Sequence, residues 1–141
     1  MLDLAARAAA TEAVVGKYRH RAFDWNSRAT CVHLARAQMR ALGHRPPSVP
    51  DFRSPRGALT ALRKAGFDTF EDLLGSMLMR VAPLAMIVGD IGLLPGEPPF
   101  QSAVIAAGGG KVFGWHDGDL SRLHPISVSV LDFEACFAVG R

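Results

Sequence analysis

Apolar positions along this chain follow two periods, and the change falls near Pro83. Before it they recur at helical spacing. Leu4, Ala5, Ala8, Val15 and Tyr18 can share one face of a first, alanine-rich helix over residues 2–18. Val32, Leu34, Ala35, Met39 and Leu42 form a second stripe, with Arg28, Arg36, Gln38 and Arg40 between them. Asn26 and Ser27 are the expected N-caps of this helix, because a short side-chain oxygen accepts from free backbone N–H groups, and Gly43 ends it. Ser54-Pro55 opens a third helix, serine capping and proline in the first turn, with Leu59 and Leu62 as its stripe and Gly66 as its stop. Thr69 with Asp72 approximates a capping box, Phe70, Leu73, Leu74, Met77 and Leu78 give a fourth helix its apolar face, and Met77 and Met79 are expected in the core or at its fringe.

After Pro83 the pattern shortens. Ala85–Leu94, AMIVGDIGLL, is short, apolar and rich in Ile, Val and Leu, and predicts a buried strand. Ser102–Ala107 and Lys111–His116 flank Gly108-Gly109-Gly110, which predicts a hairpin; the triglycine has no following helix and so is a turn, not a phosphate loop. Asp117-Gly118-Asp119 predicts another turn, and Leu120–Ile126 and Phe133–Val139 two further strands. Between the second and third helices, residues 44–55 carry Pro46, Pro47, Pro50 and Pro55, so this is a covering segment anchored by Val49 and Phe52. The expectation is one α+β domain over residues 1–141: an N-terminal helix (1–18), a helical half (26–82) and a small antiparallel sheet (84–141).

Composition narrows the classes. At 141 residues and 49% hydrophobic, the chain can bury one core. Its net charge of +3 comes from dispersed arginines, not a basic stripe, which argues against nucleic acid as a partner. No run approaches the ~20 apolar residues of a membrane span. Asp3 and Glu12 interrupt the N-terminal stretch, unlike a signal peptide. Cys31 and Cys136 are far apart and in no metal spacing, so neither a disulfide scaffold, a metal nor another cofactor is expected, and synthesis in a reducing bacterial cytoplasm fits.

Cys31 carries the candidate chemistry. At the head of a helix the dipole favours thiolate, the form a nucleophile needs. The same position suits an inert core thiol. Around it, Phe23-Asp24-Trp25, the turn that follows and the alanine-rich cysteine helix resemble the nucleophile helix of NlpC-type papain-like peptidases, which cut peptidoglycan stem peptides. Short proteins encoded among phage and prophage tail genes share this loop and a later Gly-Asp strand, here Val88-Gly89-Asp90-Ile91. The likeness runs from about Arg19 onward. It implies a papain-like arrangement, with the cysteine helix packed on the sheet.

The resemblance also implies a missing base. The family's catalytic histidine position falls on Ser102, or on Gln101 with a one-residue slip, and the orienting position falls near Gly114. Thr30 stands where the family usually has an acidic residue. The expected protein is thus a catalytically degenerate component of a phage tail, with Phe23, Asp24, Trp25, Ser102 and Trp115 lining a groove for other tail proteins or a peptidoglycan peptide. After synthesis it would reside in the virion. The alternative is an active cysteine peptidase or amidase, with Cys31 as nucleophile and His116 as base. Asp24 and Asp90 are a further candidate carboxylate pair, although Asp90 equally suits a strand-end cap.

Overall fold

The structure, a computed structural model, describes residues 2–98, 100–116 and 119–141; the side chains of His116 and Asp119 lie outside that description. Among these residues four α-helices precede a six-stranded antiparallel sheet, an α+β arrangement: α1 Leu4–Tyr18, α2 Cys31–Ala41, α3 Pro55–Lys64 and α4 Phe70–Met77, then β1 Met79–Arg80, β2 Ile91–Leu94, β3 Ser102–Gly108, β4 Lys111–His116, β5 Asp119–Ser127 and β6 Ala135–Ala138. The sheet order is β1-β6-β2-β3-β4-β5, so the last strand inserts between the first two.

Local chemistry explains most of these boundaries. Asp3, Ser54 and Thr69 each accept a backbone N–H of the first turn of their helix. Gly43 and Gly66 follow α2 and α3 in the left-handed region. Gly109 and Gly110 have φ of 63° and 77°, the double positive φ of a tight hairpin between β3 and β4.

Three expectations need correction. The N-cap of α2 is Thr30, not Asn26 or Ser27, because Asp24 and Ala29 exchange backbone hydrogen bonds and close the intervening residues into a turn. Cys31 is therefore the first residue of the helix. The strand expected from Ala85 begins only at Ile91: Pro83–Ala85 is a short 3-10 turn, and Asp90 folds its carboxylate back onto the Ile87 N–H at 2.9 Å. Met79, expected in the core or its fringe, is exposed and belongs to β1, a two-residue strand that leaves no period to detect. Of the expected turn at Asp117-Gly118-Asp119, Asp117 and Gly118 lie outside the described residues.

The core fills the space between the helices and one sheet face. Leu34, Ala35 and Met39 of α2, Leu62, Leu73 and Leu74 meet Leu93, Ile105 and Phe137, all at or near zero exposure. Leu94, Val104 and Val112 form a smaller cluster with Phe133 on the other face. Val49 and Phe52 of the proline segment pack on the main core, as expected of anchors.

One polar cluster penetrates this apolar interior. Asp90 is fully buried and Arg7 of α1 is 1% exposed. Arg7 Nη2 donates to Asp90 Oδ1 at 3.0 Å, and its other nitrogens reach the Val88 and Val139 carbonyls. Arg141 Nη2 donates to Asp90 Oδ2 at 2.6 Å, and the Val139 N–H donates to Oδ1 at 3.0 Å. Beside it, Gln38 of α2 donates to Thr11 Oγ1 and to the Gly89 carbonyl, both at 3.0 Å. Asp90 is thus neither a strand-end cap alone nor the partner of Asp24, which is held in its own turn by the Asn26 N–H at 2.9 Å.

Removing one member of a buried ion pair strands the other charge, at a cost of about 3–5 kcal/mol. Asp90→Asn, which strands the buried Arg7, should lower unfolding free energy by about that amount in urea titrations, whereas Arg19→Met, which breaks an exposed pair with Glu12, should change it by less than about 1 kcal/mol.

Candidate functional site

The turn closed by Asp24 and Ala29 delivers an aromatic lid. Phe23 N–H donates to the Leu120 carbonyl at 2.7 Å, tying the loop to β5. The Phe23 ring packs edge-on to Trp25 at 5.4 Å and to Trp115 at 5.7 Å. Trp25 in turn meets Phe52 and Phe100 at 6.1 and 5.8 Å. Trp115 Nε1 donates to the Arg21 carbonyl at 2.9 Å, which satisfies its one polar atom.

These rings enclose an apolar cavity of about 160 Å³ at the head of α2, lined by Phe23, Trp25, Cys31, Ser102, Trp115 and Phe100, among others. Five of the six side chains expected to form the catalytic or groove set and described here meet in this one space. Asp24 is not among them; it serves the turn. The side chain of His116 lies outside the described residues. Sequence reasoning missed Phe100, Gln101 as a wall, and Glu97, because they lie on or beside a proline-rich loop without periodicity. Gly96 lets that loop close, since a Cβ there would stand 2.7 Å from the Ser102 nitrogen.

Cys31 Sγ lies 3.8 Å from Ser102 Oγ, and Ser102 Oγ also approaches the Trp115 carbonyl at 3.4 Å. Burial pushes the Cys31 thiol pKa up, only partly opposed by the Ala103 N–H and the Ser102 hydroxyl. The expected helix-dipole gain for thiolate is thus outweighed by desolvation. The other cysteine, Cys136, is also free and buried, with its pKa raised to about 11 by burial and by Asp90.

Of the histidines whose side chains are described, His20 is exposed and the other three are engaged elsewhere. His33 Nδ1 lies 2.8 Å from Thr30 Oγ1, and its ring packs on Phe52. His44 Nε2 accepts from the Gly140 N–H, and His124 lies beside the Arg122 carbonyl. Gln101 donates to Glu71 and Glu134, at 2.9 and 2.8 Å. Among the described residues no three His, Cys, Asp or Glu side chains group as metal ligands. No described helix is long and apolar enough to cross a membrane.

A family model described as a domain of unknown function, DUF6950, matches residues 4–139. The chain belongs to the DUF6950 family. No curated protein matches it. The match takes in both halves of this DUF6950 domain, from α1 to the strand that closes the sheet, so the cysteine cavity is inside the family's own boundaries.

His33 marks the polar side of this helix head. Burial first, then Arg36 and Arg28, push its pKa down to about 4, with Asp51 opposing and Arg21 assisting. The unfolded chain, titrating near 6.5, binds that proton more readily, so this group's contribution to stability falls as pH drops from 6.5 toward 4. Urea midpoints across that window should fall more steeply for the native DUF6950 domain than for His33→Gln; equal slopes would rule out a half-buried neutral imidazole.

Proposed function

We propose that this DUF6950 chain is a catalytically degenerate papain-like domain of the NlpC type that serves as a structural or assembly component of a phage tail. It would be made in the bacterial cytoplasm and carried in the virion. The reading is supported above all by one contact: the thiol heading α2 faces Ser102, the position at which the family resemblance expects the base. A serine hydroxyl does not take a proton from a thiol near neutral pH. The raised Cys31 pKa works in the same direction.

The cavity then acts as a receptor. Its volume is close to the about 150 Å³ of an apolar cavity that holds a benzene ring. It accommodates one apolar side chain of another tail protein, or one residue of a cell-wall peptide. Ser102 and Glu97 at its wall supply the polar edge.

Thiol chemistry tests the reading. In native protein at neutral pH, iodoacetamide should modify Cys31 slowly, and unfolding should release both cysteines to rapid reaction. Ser102→His should place an imidazole at the sulfur and raise native labelling of Cys31 by about tenfold or more. Fast labelling of the unmodified chain that His116→Ala abolishes, together with release of stem peptides from peptidoglycan, would establish the active peptidase instead.

A further inference from the structure

A second concavity lies on the other side of Val32, which lines both spaces. It occupies about 580 Å³ between the end of α1, the head of α2 and the proline segment. Among the described residues its walls carry Lys17, Arg21, Arg28, Arg36 and Arg40 against a single carboxylate, Asp51. The whole chain has a net charge of only +3, so this one cavity gathers the chain's positive excess.

The cations are poorly compensated. Asp51 is used by Arg28, at 3.0 Å. Arg36 Nη2 donates to the Pro47 carbonyl at 2.9 Å, but its buried Nε–H has no acceptor among the described residues. Burial and Arg40 lower the Arg36 pKa. Arg21 donates to the Ser27 carbonyl and its guanidinium lies 5.3 Å from the Tyr18 ring centroid, with Lys17 Nζ at 5.5 Å from the same ring. Among the described residues no acidic group other than Asp51 lines the cavity. Like charges gathered in a concave, partly desolvated space repel one another and concentrate the field on whatever anion enters.

We propose that the cavity between α1, α2 and the proline segment is a binding site for a soluble oligophosphate. Guanidinium forks match phosphoryl oxygens in pairs, and four arginines offer more donors than a single carboxylate can accept. The volume is within the ~300–1,000 Å³ of pockets that enclose whole small ligands, not lone ions. Tyr18, Val49 and Phe52 give it an apolar floor and wall. The recess behind the proline segment distinguishes it from the open stripe that a polynucleotide backbone follows. The site is independent of what the aromatic cavity binds.

Calorimetry of the full chain with inorganic pyrophosphate, in about 50 mM salt to limit screening, tests this. One saturable site per chain is expected, with a Kd of about 1 mM or tighter. Arg40→Gln, at an exposed position, and Arg36→Gln should each weaken it by about fivefold or more. Arg63→Gln, on α3, removes the same charge outside the cavity and should leave binding unchanged. Absence of saturation by about 10 mM overturns the proposal, as does equal weakening by Arg63→Gln. So does tight binding of a single-stranded oligonucleotide or of anionic phospholipid vesicles that pyrophosphate does not displace.

Discussion

The carboxylate of Asp90 is the constraint on which the rest of the structure depends. An isolated charge in an apolar interior is costly by several kcal/mol, and attraction offsets that cost only with close, well-saturated geometry. Asp90 meets the condition with two guanidiniums and two backbone N–H groups. Its partners come from α1, from the turn just before β2 and from the end of β6. The first helix and the last strand are thereby fixed to one point. Because the partners are so far apart in sequence, the pair acts only once the helices and the sheet have come together.

Gly89 extends this fixed point toward the site. Its φ of 94° belongs to glycine, and a Cβ there would stand 2.9 Å from Thr11 Oγ1 and 3.2 Å from Gln38 Nε2. The absent side chain lets Gln38 of α2 reach the Gly89 carbonyl and Thr11 together. α2 is thus registered against α1 and the turn before β2 by polar contacts at its middle, while Leu34 and Met39 hold it to the sheet by packing. The head of α2, with Cys31, has its place against β3 as a result.

The amphipathic helices and the triglycine hairpin were legible in the sequence because each rests on local periodicity or on backbone conformations that glycine supplies. The start of β2 was not. Ala85–Val88 reads as strand by composition, but Asp90 draws the Ile87 N–H into a turn, and that depends on Arg7 and Arg141, more than fifty residues away in either direction. The aromatic cavity was partly legible, through the Phe23–Trp25 loop and Trp115. Phe100 and Glu97 carried no pattern. Arg36 and Arg40 read as a solvated helix face, and only the approach of α1 and the proline segment makes them walls of one cavity.

The head of α2 shows why position at a helix start does not make a nucleophile. The dipole contributes about 0.3–1 kcal/mol toward a thiolate, up to about 2 in favourable geometry. Burying an anion among Phe23, Trp25 and Trp115 costs more than that unless a cation stands beside it. The cations that could have done so, Arg28 in the turn before α2 and Arg36 in its second turn, are on the far side of Val32. Val32 therefore separates two environments that a cysteine hydrolase would need to combine: an apolar space holding a protonated thiol, and a polar space holding positive charge around a neutral imidazole. Under the proposed degenerate reading, that division leaves Cys31 to packing and the charge on α2 to an anion.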